Sequence, residues 1–219
     1  MTDGGRQADG GPKRRMWTWL FNPFHYLAGG PALGIGVVAI AAAGLVGAAS
    51  RSHFDGVLDF HSGLAVPLWV YLVEGFVDWL ASGILLLAAG KLVSRTHVRA
   101  LDVFGTQALA RAPMLLTAVA ALLPGFQRVT DELARAILRG GALWPLDVGA
   151  QDVVVFALVL LVTLMMLVWM VALMYRAYAV SCNVTGARAV ISFIVALLLA
   201  EAASKAALIP ILKAVAPAP

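Results

Sequence analysis

Two pairs of ionisable residues lie inside long apolar runs, Glu74 with Asp78 and Glu201 with Lys205. Each pair is spaced by four, so on a helix its members share one face about 6 Å apart along the axis. Ionisable groups at membrane depth are costly and face a partner or a hydrated cavity. Two roles suit such a cluster. One is a relay that passes protons or cations. The other is a polar clamp that fixes helix register where no hydrophobic drive acts between helices. The clamp is favoured, because no second set of polar residues is evident between these pairs and either face.

A second constellation is the loop sequence His53-Phe54-Asp55-Gly56-Val57-Leu58-Asp59-Phe60-His61. His and Asp are good ligands for zinc or manganese, and His53, Asp55, Asp59 and His61 would suffice for a site. The competing reading is a polar loop whose side chains serve solvation. No nucleophile–base set and no phosphate-binding loop appears, so the expectation is a non-enzymatic protein with no catalytic residue and no cofactor. Cys182 is the only cysteine, which leaves no disulfide framework and no thiolate metal site within one chain.

The elements that must position these residues are membrane helices. Hydrophobic residues make up 61% and charged residues 13% of 219, against roughly 45–50% and about 25% in soluble domains. The net charge of +4 fits a positive membrane face better than a nucleic-acid footprint, so no nucleic-acid partner is expected. The expected class is all-α: a polytopic bundle of about five transmembrane helices, over residues 27–50, 64–90, 102–126, 153–175 and 189–212. These form one membrane domain, 16–215, behind a disordered basic tail, 1–15.

The third span is the irregular one. Its uncharged part, Ala112 to Gln127, reaches crossing length only by taking in Arg111, whose stem can snorkel to the interface. Thr130 to Gly140 predicts an amphipathic helix capped by Thr130, with an Asp131–Arg135 pair. Arg176 to Arg188 reads as a loop. Gly30 and Gly34 form a GxxxG pair suited to close helix contact.

The tail's Lys13, Arg14 and Arg15 precede Trp17, Trp19, Phe21, Phe24 and Tyr26, the order expected where a chain enters a bilayer from the cytoplasm. The uncharged run that follows is longer than a signal peptide's apolar region, so it predicts an uncleaved anchor. Five crossings with a cytoplasmic N-terminus put eight basic residues inside (Lys13, Arg14, Arg15, Lys91, Arg95, Arg99, Arg176, Arg188) and five outside (Arg51, Arg128, Arg135, Arg139, Lys213). The second and fifth spans run in opposite directions with charges near their midpoints. They are expected to pack together, with Lys205 between Glu74 and Glu201.

Three segments carry a family resemblance: Phe21-Asn22-Pro23-Phe24 with Gly29-Gly30, then Asp102-Val103-Phe104-Gly105 through Arg111-Ala112-Pro113, then Tyr175 to Ser181 with Ser192-Phe193 and Glu201 to Lys205. Their order and spacing resemble the Yip family of Ypt/Rab-GTPase-interacting membrane proteins, in its bacterial branch. The resemblance implies five helices with a cytosolic N-terminus, a bacterial inner-membrane location, and a scaffold or accessory role in membrane organisation. The expected partners are the bilayer, other membrane proteins or further copies of the chain. The Asp-Leu-Tyr-Gly-Pro motif of eukaryotic members is missing, and Rab binding is not carried over. A small ion- or proton-coupled transporter or channel using the buried carboxylates is the alternative.

Overall fold

Long apolar runs have one way to satisfy their backbone in lipid, and this chain takes it almost throughout. The computed structural model describes residues 12–63, 65–139 and 147–215. The helices are α1 (Pro12–Phe21), α2 (Gly29–Ser50), α3 (Leu68–Val93), α4 (Ala100–Ala110), α5 (Pro113–Ala120), α6 (Pro124–Leu138), α7 (Ala150–Ser181) and α8 (Gly186–Val215). A two-residue hairpin, β1 (Ser52–His53) with β2 (His61–Ser62), closes the loop between α2 and α3. Among the described residues, five helical stretches are long and apolar enough to cross a membrane: α2, α3, α4 with α5, α7 and α8. The protein is an all-α, multi-pass integral membrane protein.

α3 and α8 pack against each other, α2 lies against α3, α4 and α5, and α7 closes the other side against α4, α5 and α6. The α4–α5 span is therefore the most enclosed of the five, and α7 the most exposed to lipid. The approach of α2 to α4 depends on glycine. A Cβ on Gly36 would run into the backbone of Ala108 and Leu109. Gly30 and Gly34, by contrast, have open space around them, so the expected GxxxG contact is not made among the described residues. The close-packed side of α2 is instead Gly29, Ala32, Gly36, Ala43, Gly44 and Gly47.

Several expected boundaries shift. Residues 12–15, read as part of a disordered tail, are backbone of α1; residues 1–11 lie outside the described residues. α1 ends at Phe21, and Trp169 of α7 donates to the Leu20 carbonyl at 3.1 Å, tying the aromatic segment to the bundle. The third span ends at Ala120, and α6 starts at Pro124 rather than Thr130. Proline supplies the helix start, and the Thr130 hydroxyl donates back to the Gln127 carbonyl at 3.0 Å, so it caps nothing. α7 continues through Arg176 to Ser181, leaving only residues 182–185 as a loop.

Candidate functional site

Pro113 lacks an N–H, so a helix running through it loses a backbone bond and meets a clash one turn earlier. The chain responds by tightening. Arg111 and Ala112 take i→i−3 bonds to Ala108 and Leu109, and α5 begins afresh at Pro113. This step lies about 16 Å along from the start of α4, near mid-membrane. It sends Arg111 into the bundle, not outward: the residue is buried, and its Nη2 donates to Asp78 Oδ2 at 3.0 Å. The expected snorkelling to the interface does not occur. A buried acid is nearer and, unlike hydrocarbon, neutralises the guanidinium.

Glu74 is fully buried one turn away from Asp78 on the same face of α3. Its partner is the hairpin. His53 Nδ1–H donates to Glu74 Oε1 at 2.8 Å, and the Phe54 amide donates to Oε2 at 3.1 Å. Both carboxylate oxygens are thus engaged by the loop, whose Phe54 and Val57 are buried in the bundle. His53 stacks on Tyr71 with ring centres 4.7 Å apart. The loop read as polar and solvating is a latch inserted between helices.

α8 holds the other side of that latch. The Leu58 amide donates to Glu201 Oε2 at 2.8 Å, while Lys205 Nζ lies 2.7 Å from Asp59 Oδ2 and 3.1 Å from Glu201 Oε1. A Cβ on Gly56 would approach Glu201 Oε1 to 2.6 Å, so this glycine lets the loop backbone lie on α8. α3 and α8 do meet, but Lys205 does not bridge Glu74 and Glu201. It bridges Asp59 and Glu201, and its side chain is 42% exposed. The four residues expected as one buried cluster form three separate pairings, of which only those of Glu74 and Asp78 are wholly buried.

The four loop residues considered for a metal divide in the same way. Asp55, Asp59 and His61 come together, with one ligand atom from each within 4.8 Å of the others. His53 is turned to Glu74. Asp59 already carries the Lys205 ammonium, and a second cation there would meet like charge. His61 Nδ1 lies 3.3 Å from Asp55 Oδ1. This interaction raises the His61 pKa above its ordinary value and lowers that of Asp55, with burial opposing both shifts. Ion pairing accounts for the cluster as it stands.

Two features escaped sequence reasoning. Arg111 is the missing counter-charge, and its signal was an arginine two residues before a mid-span proline. The other is a polar column through the interior. Ser82 continues the Glu74, Asp78 stripe at the next i+4 position, and Gln107 lies one turn before Arg111 on α4. Gln107 Nε2 donates to the Met174 carbonyl at 3.0 Å, and the Thr106 and Ser181 hydroxyls are 2.9 Å apart. Ser204 of α8 is a further polar neighbour of Asp78. The cavity that touches Arg111 measures about 10 Å³ and is otherwise lined mainly by apolar side chains such as Ile40, Phe54 and Met114. That is room for about one water.

The two faces differ in how their basic residues are held. Beside the latch, Arg51 pairs with Asp131, Arg128 with Asp152, and both Arg135 and Arg139 with Glu132. Asp131 was expected to pair with Arg135; it takes Arg51 instead, while Arg135 turns to Glu132. On the opposite, basic face, Lys91, Arg95 and Arg176 have no ion-pair partner among the described residues, and Arg188 donates to the Val93 carbonyl at 2.7 Å. Comparison with family models, with curated proteins and with solved structures finds no match to this chain.

Proposed function

We propose that this protein is a non-catalytic, Yip-type scaffold or accessory component of a bacterial inner membrane, in which the interior charges serve as the clamp that sets its shape. One observation carries the clamp: each interior carboxylate is engaged by a group from outside its own helix. Glu74 takes the latch hairpin, Asp78 takes the α4–α5 break, and Glu201 takes the latch loop. Together they join α3, α4 and α8 through polar contacts that lipid cannot replace. The basic face then lies in the cytoplasm with the N-terminus, in keeping with the count of eight basic residues against five.

The second reading, a proton relay, is favoured by the polar column and by its loose ends. Asp78 Oδ1, Gln107 Oε1 and Arg111 Nη1 are buried without a hydrogen-bond partner among the described residues. The test is proton flux into proteoliposomes holding a trapped pH dye under an imposed gradient. The scaffold reading expects vesicles with protein to match empty ones in flux, whether the protein is the parent or Asp78→Asn. Flux that disappears in Asp78→Asn overturns it and establishes the relay.

A further inference from the structure

Two cavities meet at the basic face. An apolar groove of about 530 Å³ runs between the end of α3 and the start of α8, past Ala88, Leu92, Ile191, Val195 and Leu199. A second cavity, about 380 Å³ and mostly polar, adjoins it and presents Arg95, Thr96, Asn183 and Thr185. Val93 and Arg188 line both, so Arg188 stands at the border between them. Among the described residues, neither lining includes an Asp or Glu.

We propose that these adjoining cavities bind one anionic glycerophospholipid, its phosphate on Arg95 and Arg188 and one acyl chain in the groove. Length supports a lipid over a partner helix. From Arg188 to Leu199 the groove follows α8 for about 16 Å, half of a hydrocarbon core of about 30 Å and thus one leaflet deep. A partner helix would press on the bundle through the whole thickness. Charge supports an anionic headgroup: Arg95 is exposed and has no ion-pair partner among the described residues, and one Arg188 nitrogen alone is spent on the Val93 carbonyl. The first turn of α8, on the same side, has backbone N–H groups that no carbonyl of its own helix can take. The apolar groove between α1 and α7 makes the contrast, since Leu20, Phe21, Met165 and Trp169 line it and, among the described residues, no charged one does.

The test uses the full-length protein in mild detergent, with phosphatidylglycerol and phosphatidylcholine of matched chains counted on it by native mass spectrometry. The expected result is a preference for phosphatidylglycerol that falls about fivefold for each of Arg95→Gln and Arg188→Gln. Ala88→Trp, which fills the groove, should also release the bound lipid. Arg95→Gln removes no hydrogen bond among the described residues, so it remains informative if Arg188→Gln disturbs folding. Equal retention of the two lipids overturns the proposal, as does a preference that survives both arginine changes. Displacement by equimolar glycerol 3-phosphate would mean that a free phosphate suffices, and would overturn it too. So would an equal loss in Arg128→Gln on the opposite face.

Discussion

Lys205 of α8 reaches Asp59 of the latch loop across 2.7 Å, although more than 140 residues separate them, and it does not touch Glu74. The contact is partly open on both sides, with 42% and 37% of the side chains exposed. Exposed pairs are worth roughly 0.2–1 kcal/mol, so Lys205→Met should cost no more than about 1 kcal/mol. Glu74→Ala should cost about 1–3 kcal/mol, because it removes the acceptor for a buried imidazole and a buried amide. Denaturant unfolding in detergent compares the two, and hydrogen exchange over residues 52–63 should rise much more in Glu74→Ala. Equal exchange in both would mean that the hairpin does not depend on Glu74.

Glycine packing gives a sharper contrast within one helix. Gly36→Ala must push α2 away from the α4 backbone, and overpacking of this kind costs typically 1–3 kcal/mol. Gly34→Ala meets open space and should be neutral or slightly stabilising. Thermal unfolding of the two variants checks this. A destabilised Gly34→Ala would indicate that the open face of α2 is occupied by something other than lipid.

The Asp55–His61 pair makes the latch sensitive to pH. The His61 pKa is raised on folding, so its contribution is complete below the ordinary histidine value and is lost as pH rises through the folded value. The Asp55 pKa is lowered, so its contribution is present above the ordinary aspartate value and lost as pH falls through the folded one. Latch stability should therefore be greatest in mildly acidic solution, between about pH 4 and 6.5. Hydrogen exchange over residues 52–63, measured against pH, should show that optimum and lose it in His61→Gln.

Much of this architecture was legible before any coordinates, and the reasons are physical. Runs of 20 or more apolar residues have few alternatives to crossing a bilayer, and the depths of Glu74, Asp78, Glu201 and Lys205 already required α3 and α8 to meet. The partners were not legible. Arg111 reads in sequence as free to reach water, because spacing does not say where a proline break turns a side chain. The loop reads as solvating in sequence because its acids and histidines stand out, whereas Phe54 and Val57, which carry it inward, do not. α2 is apolar all round, so no periodicity marked Gly36 over Gly34 as the contact. The polar column was hidden because Ser82, Thr106 and Gln107 are uncharged and draw notice only once their helices are placed together.

The clamp rests most heavily on Asp78 and Arg111, which are buried together near mid-membrane. Unfolding free energies for Asp78→Asn, Arg111→Gln and the double variant form a cycle that isolates this pair. The account predicts a loss of about 3–5 kcal/mol when either partner is removed alone. It predicts that the double variant is more stable than Asp78→Asn. Strictly additive losses, or an Asp78→Asn protein as stable as the parent, would contradict it.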